Sequence, residues 1–226
     1  FPGFVKIEIK TEKIDGYCKY QIDDFTLNLK KEKNSIIVLG GRLPLFLSNS
    51  FFNNQEGGIE GNEWQNKYIS LEKYKTIHSS LPYGALSAPL GKYKTIQSSF
   101  KNEVIELSKN NKIVLIYPIP EVGWNVPDKL NILLRSIKGN LFSGKKININ
   151  NYITTSFEVY KNRTKSSFEL LDSIQNENIY RVYPHKLFCD TIIKDRCVTH
   201  DDKNVFYSDD KHPSIKGAEM INDLIM

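Results

Sequence analysis

Short apolar runs alternate with longer polar segments along this chain. Three of the runs are compact and rich in Ile and Val, and each is followed by Gly or Pro; they cover residues 35–39, 112–117 and 179–183. Continuous apolar runs of this length are typical of strands that are covered on both faces of a parallel sheet. The pattern therefore predicts at least three parallel β-strands.

Apolar residues at helical spacing predict helices around these strands. The predicted helices cover residues 24–33, 96–110, 128–137, 157–174 and 214–226. We expect Ser214 to cap the last helix. That helix is predicted to bury Ile215, Ala218, Ile221, Leu224 and Ile225.

The alternation of helices and strands is typical of an α/β domain. A length of 226 residues suits one hydrophobic core, and no linker divides the chain, so we predict one domain over residues 1–226. Residues 48–92 are rich in Asn, Gly, Ser and Gln, and we interpret them as an insertion or long loop within that domain.

Composition excludes two classes of protein. The 31 Lys and Arg residues against 26 Asp and Glu give a mildly basic chain, but the lysines form no long run, so we expect no nucleic-acid partner. The longest apolar stretch, residues 36–47, is interrupted by Gly, Arg and Pro. It is too short to span a bilayer, which takes about twenty apolar residues.

The three cysteines are Cys18, Cys189 and Cys197. The latter two flank seven residues, a spacing that suits a local disulfide better than a zinc site. Three buried thiols explain the spacing equally well. An oxidised pair would indicate a compartment outside the cytoplasm and would leave the partner of Cys18 to be found elsewhere.

The residues with the clearest chemistry lie near the end of the chain. Asp209 precedes His212 by three positions, and Pro213 follows the histidine directly. A carboxylate that accepts from Nδ1–H of an imidazole leaves Nε2 as a general base, and a following Pro restricts the backbone of the histidine. The alternative is a solvated Asp-Asp-Lys turn that caps the last helix, and residue types alone favour it.

A metal site is a second alternative for the same region. Two histidines and four aspartates lie within residues 200–212: His200, Asp201, Asp202, Asp209, Asp210 and His212. Such groups can ligate a divalent metal, but no histidine pair has helical spacing, and polar turns collect Asp without binding anything. We therefore predict no metal and no other cofactor. His78 and His185 have no acidic neighbour, and surface or loop roles are expected for both.

Three features together resemble one protein family. They are the segment KIVLIYPIPEVGWNVP at 112–127, the loop between Cys189 and Cys197, and the tail pattern Tyr-x-Asp-x-x-His-x-Ser-x-x-Gly-Ala at 207–218. The combination resembles the SGNH domain fused to membrane acyltransferase-3 domains, found in bacterial proteins that O-acylate cell-surface carbohydrates. The resemblance extends from about residue 35 to the end of the chain.

The resemblance implies a three-layer α/β/α, SGNH-hydrolase-like (flavodoxin-like) parallel sheet and a Ser-His-Asp triad. By motif, Asp209 and His212 match the acid and the base of that triad. Cys189 and Cys197 match the disulfide of the family. Arg42, which follows Gly41 after the first strand, matches a residue near the site.

The chain departs from the family pattern at two points. Pro213 stands where the family commonly has Leu, which we expect to stiffen the loop. The Gly-Asp-Ser block that carries the nucleophile is absent from the 226 residues. We expect the chain to be a fragment that lacks the N-terminal strand and the nucleophile block, and to be inactive on its own.

The function implied by the resemblance is acyl transfer, with acetyl expected, to a hydroxyl of a cell-surface polysaccharide such as lipopolysaccharide. The domain would be the periplasmic part of a bacterial inner-membrane protein, and an associated membrane acyltransferase domain would supply the acyl donor. Two other functions remain open. One is an esterase that deacylates carbohydrates, and the other is a non-catalytic carbohydrate-binding module.

Overall fold

The computed structural model describes residues 28–48, 51–60, 96–141 and 153–226. The strands are β1 (Ile36–Leu39), β2 (Lys112–Ile116), β3 (Thr154–Ser156), β4 (Ile179–Val182) and β5 (Arg196–Val198). The helices are α1 (Leu43–Ser48), α2 (Ile96–Ser108), α3 (Val126–Leu141), α4 (Phe157–Asp172), α5 (His185–Phe188) and α6 (Ile215–Asn222).

The chain divides into two compact units. Among the described residues, the first contains 28–48, 96–118 and 165–182, and the second contains 51–60, 119–141, 153–164 and 183–226. The division falls inside α4, between Thr164 and Lys165. The prediction of one domain, and of an insertion at 48–92, stays a prediction.

A parallel sheet in the order β1-β2-β4 organises the first unit. Ile37 pairs with Ile113 and Val114 with Tyr180, so all three predicted strands run in the same direction, as expected. β2 is central and buries Ile113 and Leu115 completely. The expectation of strands covered on both faces holds for β2 but is wrong for β1, which exposes Ile36 and Val38 on one face and buries Ile37 and Leu39 on the other.

Helix α2 confirms the predicted amphipathic helix and ends two residues earlier than expected. Its buried apolar positions include Phe100, Val104 and Leu107. In the same unit, the ring of Tyr117 packs edge-on against Phe168 at 4.8 Å between centroids. Asn178 Nδ2 donates to the carbonyl of Ser108 at 2.9 Å and so links the end of α2 to the turn before β4. The α/β arrangement predicted from the pattern is therefore present.

The second unit contains an antiparallel pair, β3 with β5, that the pattern did not predict. Each strand has three residues, too few to show the alternation of apolar and polar residues that predicts a strand. Cys197, the middle residue of β5, is joined to Cys189 by a disulfide with a sulfur–sulfur distance of 1.99 Å. The Phe188 ring lies 5.6 Å from that of Phe206 and 5.9 Å from that of Tyr207, so the end of α5 packs on the segment that leads to the tail.

Helix α6 confirms the predicted cap and corrects the predicted buried face. Ser214 Oγ accepts from the backbone N–H of Gly217 at 3.1 Å. Ile221 is buried, whereas Ile215 is 83% exposed and Leu224 is 43% exposed. The reason is close packing at Gly217, where an added Cβ would lie 2.2 Å from the carbonyl oxygen of Phe206. The buried stripe therefore runs through positions 217 and 221, one helical turn apart.

Helix α3 begins at Val126 and is longer than the predicted 128–137. Pro127 is accommodated because the first turn of a helix needs no N–H from it. α1 and α5 were not predicted, since six and four residues carry too little periodicity.

Several sequence features lie outside the described residues, among them Cys18, His78 and most of 48–92. Of the predicted helix at 24–33, residues 28–33 are described; residues 28–31 are helical, and residues 32 and 33 are not. Within the described ranges, no helix combines the length and apolar character needed to cross a membrane.

Candidate active site

Asp209 and His212 lie in hydrogen-bond contact inside a tight turn of the second unit. Oδ2 of Asp209 is 2.5 Å from Nδ1 of His212. Oδ1 accepts the backbone N–H groups of Lys211 at 2.8 Å and of His212 at 2.7 Å. The N–H of Ser208 donates to the carbonyl of His212 at 2.9 Å and closes the turn. One carboxylate thus shapes the turn with one oxygen and holds the imidazole with the other.

This geometry decides the tautomer of the ring. An ionised carboxylate can only accept, so Nδ1 of His212 is the donor, and in the neutral ring Nε2 then holds the lone pair. The His212 side chain is 60% exposed, and that of Asp209 is 35% exposed. The alternative of a helix-capping role for the Asp-Asp-Lys turn does not fit, because Ser214 occupies the cap position.

The environment keeps Asp209 ionised. Partial burial alone would raise the pKa of its carboxyl. The hydrogen bonds from the His212 ring and from the N–H groups of His212 and Lys211 outweigh burial, and the pKa of Asp209 is lowered below its usual value. The acid of the pair is therefore charged at neutral pH, as an orienting carboxylate must be.

The loop that follows β2 holds the turn through backbone bonds. The carbonyl of Asp210 accepts from Val122 N–H at 2.9 Å and from Gly123 N–H at 3.1 Å. The carbonyl of Asp209 accepts from Val126 N–H at 3.3 Å. These bonds tie three positions of residues 122–126, which we call the clamp loop, to both aspartates.

A buried tyrosine adds a further attachment on the same side. Tyr207 is 1% exposed, and its hydroxyl donates to the carbonyl of Pro120 at 2.8 Å. A buried hydroxyl needs a partner, so this bond also specifies where the tail can lie. The tail is therefore anchored both before and within its turn.

A small antiparallel bend at residues 52–60 packs behind the clamp loop. Asn54 Nδ2 donates to the carbonyl of Val122 at 2.9 Å, and Asn54 Oδ1 accepts from the N–H groups of Glu56 and Gly58, each at 2.8 Å. A Cβ at Gly58 would lie 2.3 Å from Asn54 Nδ2, so the bend requires glycine there. Asn54 is completely buried and serves both segments.

Two ion pairs connect charged residues around the clamp loop. Lys211 Nζ lies 2.8 Å from Glu60 Oε1, with the glutamate side chain 4% exposed. Arg163 Nε lies 2.9 Å from Glu121 Oε2, and both side chains are less than a tenth exposed. Buried ion pairs are costly to break on one side, so each pair fixes the segments that carry it.

The carboxylate of Asp210 interacts with the charges of Asp209, Glu60 and Lys211. Burial raises the pKa of its carboxyl, and the neighbouring carboxylates of Asp209 and Glu60 raise it further. Lys211, whose Nζ is 3.6 Å from Oδ1 of Asp210, acts in the opposite direction. The lysine is therefore a cation that offsets two nearby carboxylates, those of Glu60 and Asp210.

The residues of the metal alternative do not converge. His200 uses Nε2 to accept from Ile153 N–H at 3.1 Å, and Nδ1 faces the carbonyl of Asp201 at 3.0 Å. Oδ1 of Asp201 accepts from the N–H groups of Lys203 and Asn204. Among residues 28–48, 51–60, 96–141 and 153–226, no three His, Cys, Asp or Glu side chains are grouped to hold a metal ion.

The other candidate residues lie elsewhere. Arg42 is half-buried just before α1 and belongs to the first unit, so its expected place near the site stays a prediction. His185 begins α5 and packs against Tyr160, with 5.6 Å between ring centroids. Burial lowers the pKa of His185. Its position in a short helix after β4 is a half-buried one rather than the surface or loop role that was expected.

Sequence reasoning missed the clamp loop as the support of the turn, and it missed Glu60 and Lys211. The contact between those two spans 151 positions, and no local pattern encodes it. For the clamp loop the sequence holds a partial signal, since the loop follows a predicted parallel strand, where open α/β sheets bind ligands.

One comparison with known proteins identifies the chain, and two find no relative. A family model described as "SGNH domain (fused to AT3 domains)" matches residues 1–226. No curated protein and no solved structure matches the chain.

Proposed function

The chain belongs to the family of SGNH domains fused to AT3 domains, and from this membership we propose that Asp209 and His212 are the acid and base of an acyl-transfer triad. The family makes this an acyltransferase- or esterase-like domain with an α/β fold. The observation that carries the proposal is the 2.5 Å contact between Asp209 Oδ2 and His212 Nδ1, which leaves Nε2 free to act as a base.

The proposed reaction needs a serine that these 226 residues do not supply in a Gly-Asp-Ser block. We place that serine upstream of this chain in the intact protein. Nε2 of His212 removes its proton while the serine oxygen attacks the donor carbonyl, and the leaving group departs with that proton. An acyl-serine ester remains.

In the second step a sugar hydroxyl attacks the acyl-serine. His212 takes the proton of that hydroxyl and returns it to the serine oxygen as the acylated sugar leaves. Backbone N–H donors would stabilise the oxyanion in both steps. Asp209 stays ionised throughout and stabilises the imidazolium that forms twice in each cycle.

We propose an acetyl group as the acyl group and a cell-surface polysaccharide as the acceptor, with the fused AT3 domain as the source of the donor. A periplasmic location is part of the proposal. The disulfide between Cys189 and Cys197 supports it, because such bonds persist in oxidising compartments.

An esterase that releases the acyl group to water is the second candidate. The 60% exposure of the His212 side chain favours it, since water can reach an exposed general base. The two functions share every catalytic role and differ only in which hydroxyl attacks the acyl-serine. The acceptor therefore has to be measured.

The test uses the intact protein with its upstream segment, expressed in cells that lack the native copy. We expect His212→Ala to reduce acetylation of the surface polysaccharide by about three or more orders of magnitude. Lys216→Met, an exposed change four residues along the tail, is the matched control and should leave acetylation unchanged. Full acetylation with His212→Ala would overturn the proposal.

A purified-protein assay separates the two candidates. The intact protein receives an acetyl donor together with an oligosaccharide from the polysaccharide, and acetyl-sugar and free acetate are both quantified. Acetyl-sugar as the main product supports the transferase, and free acetate alone supports the esterase.

A further inference from the structure

The segment at residues 52–60 reaches the Asp209–His212 turn through one ion pair. Lys211 Nζ lies 2.8 Å from Oε1 of Glu60. Oε2 of the same glutamate accepts from the N–H of Phe52 at 3.3 Å, and the N–H of Glu60 donates to the carbonyl of Phe52 at 2.9 Å. Both oxygens of Glu60 are therefore engaged, and its position is fixed by backbone as well as by charge.

Lys211 stands inside the turn. Its own N–H donates to Oδ1 of Asp209, next to the bond from the N–H of His212. A shift of Lys211 therefore moves a donor that sets the rotamer of the Asp209 carboxylate. Since Oδ2 of that carboxylate holds the imidazole, the displacement passes on to the ring.

We propose that Glu60 is a positioning residue of the candidate active site, which acts through Lys211 to hold the Asp209–His212 hydrogen bond in its productive geometry. This inference rests on the proposed function for its catalytic meaning. The positioning itself is a property of the folded chain and is measurable without turnover.

Because the ion pair is largely buried, the loss of either partner is expected to disturb the turn. The glutamate side chain is 4% exposed and the lysine side chain 23% exposed. A carboxylate this far from water cannot exchange its partner for solvent at low cost, so the loss of Lys211 removes a cation that a buried charge depends on. Lys211 also offsets Asp210, whose Oδ1 is 3.6 Å away.

A second lysine–glutamate pair on the tail provides the matched control. Lys216 Nζ lies 3.3 Å from Oε2 of Glu219, and their side chains are 46% and 57% exposed. Exposed pairs of this kind contribute little to stability. Lys216→Met thus removes one lysine charge from the same tail without touching the turn.

The first experiment observes the His212 ring directly, with the folded 226-residue chain labelled with ¹⁵N. In the wild type we expect ring nitrogen shifts of an Nδ1–H tautomer and slow exchange of the Nδ1 proton. Glu60→Gln and Lys211→Met should each accelerate that exchange by about tenfold, because opening of the hydrogen bond becomes easier. Lys216→Met should leave exchange within about twofold of wild type.

Unchanged tautomer and exchange in both Glu60→Gln and Lys211→Met would overturn the positioning role. If Glu60→Gln fails to fold, Lys211→Met provides the test. The Lys211 side chain is partly exposed and belongs to the same ion pair. A swapped pair, Glu60→Lys with Lys211→Glu, should restore slow exchange to a measurable extent, whereas each single reversal should not.

The second experiment measures kinetics in the intact protein. A displaced general base lowers kcat and leaves KM nearly unchanged, and we expect kcat to fall by about 10- to 100-fold in Glu60→Gln. If exchange changes but kcat does not, Glu60 is structural and the inference fails. If His212→Ala retains full activity, the proposed function fails instead, and the exchange data remain interpretable by themselves.

Discussion

The Asp209 carboxylate binds His212 twice, through the ring Nδ1 at 2.5 Å from Oδ2 and through the backbone N–H at 2.7 Å from Oδ1. The two contacts couple the rotation of the ring to the conformation of the turn. A residue that merely capped a helix would need only the backbone contact. The double contact is what a histidine held in one tautomer requires, and it motivates the first two predictions.

The Asp209→Asn substitution should change the tautomer of His212 and keep the conformation of the turn. The amide oxygen of Asn can still accept the N–H groups of Lys211 and His212, so the turn is kept. The amide N–H₂ would then face Nδ1 and favour the wrong tautomer, and we expect kcat to fall by about 10³- to 10⁴-fold in the intact protein. Steady-state kinetics and circular dichroism measure the two effects.

Asp223→Asn, an exposed aspartate at the end of α6, is the control for loss of one negative charge. It should leave kcat unchanged. Equal activity of Asp209→Asn and wild type would remove Asp209 from the proposed triad.

Stability should depend on the ionisation of Asp209 in a defined direction. The pKa of Asp209 is lower in the folded chain than its usual value, so its hydrogen bonds stabilise the fold above the ordinary Asp pKa of about 4. This contribution is lost as pH falls from there through the lowered folded pKa. Urea unfolding of wild type and Asp209→Asn between pH 7 and pH 2 measures it.

The difference in free energy of unfolding between wild type and Asp209→Asn should be largest near neutral pH and should shrink in acid. A difference that is constant over this range would show that the carboxylate is not stabilised by its hydrogen bonds.

Gly123→Ala should destabilise the clamp loop by both strain and crowding. Gly123 has φ +77°, and a Cβ there would lie 2.8 Å from the carbonyl oxygen of Gly58. We expect a loss of about 2–3 kcal/mol in the free energy of unfolding. Chemical denaturation measures the loss.

Gly57→Ala is the matched control, since Gly57 has φ +90° with nothing within 4 Å of its added Cβ. Strain alone should cost about 1 kcal/mol there. Equal losses at the two positions would mean that the approach of the clamp loop to Gly58 is not a tight one.

Removal of the disulfide should weaken the second unit. The bond between Cys189 and Cys197 closes a short loop, and Cys189→Ala with Cys197→Ala should lower the free energy of unfolding by about 2–3 kcal/mol. Urea unfolding with and without reductant measures it. Reductant should destabilise the wild type to a similar degree and leave the double variant unchanged. A free energy of unfolding of the wild type that does not change with reductant would contradict the prediction.

Local features of this protein were accessible from its sequence. The three apolar runs predicted the strands because five or six consecutive residues carry that signal, although they did not show that one face of β1 is exposed. The Asp209–His212 contact and the Ser214 cap were predictable because each joins residues three positions apart, so the local backbone sets its geometry. The same local signal could not distinguish a catalytic pair from a solvated turn.

The tertiary structure decided what distant segments do to each other. The buried face of α6 follows from the close approach of Gly217 to the carbonyl of Phe206, not from the apolar residues that made Ile215 a predicted core position. Similarly, the three N–H groups of the clamp loop find their acceptors in Asp209 and Asp210, more than eighty positions away. Hydrogen bonds of backbone groups depend on proximity and carry no residue-type signature.

The sequence by itself therefore determined the α/β class, the pairing of an acid with a histidine and the cap of the last helix, since each depends on neighbours along the chain. Only the tertiary structure showed that Asn54 donates to the carbonyl of Val122 and that Glu60 pairs with Lys211 of the turn. Those contacts depend on burial and charge pairing between segments separated by 68 and 151 positions. Folding brings such segments together, and no local sequence pattern predicts their contacts.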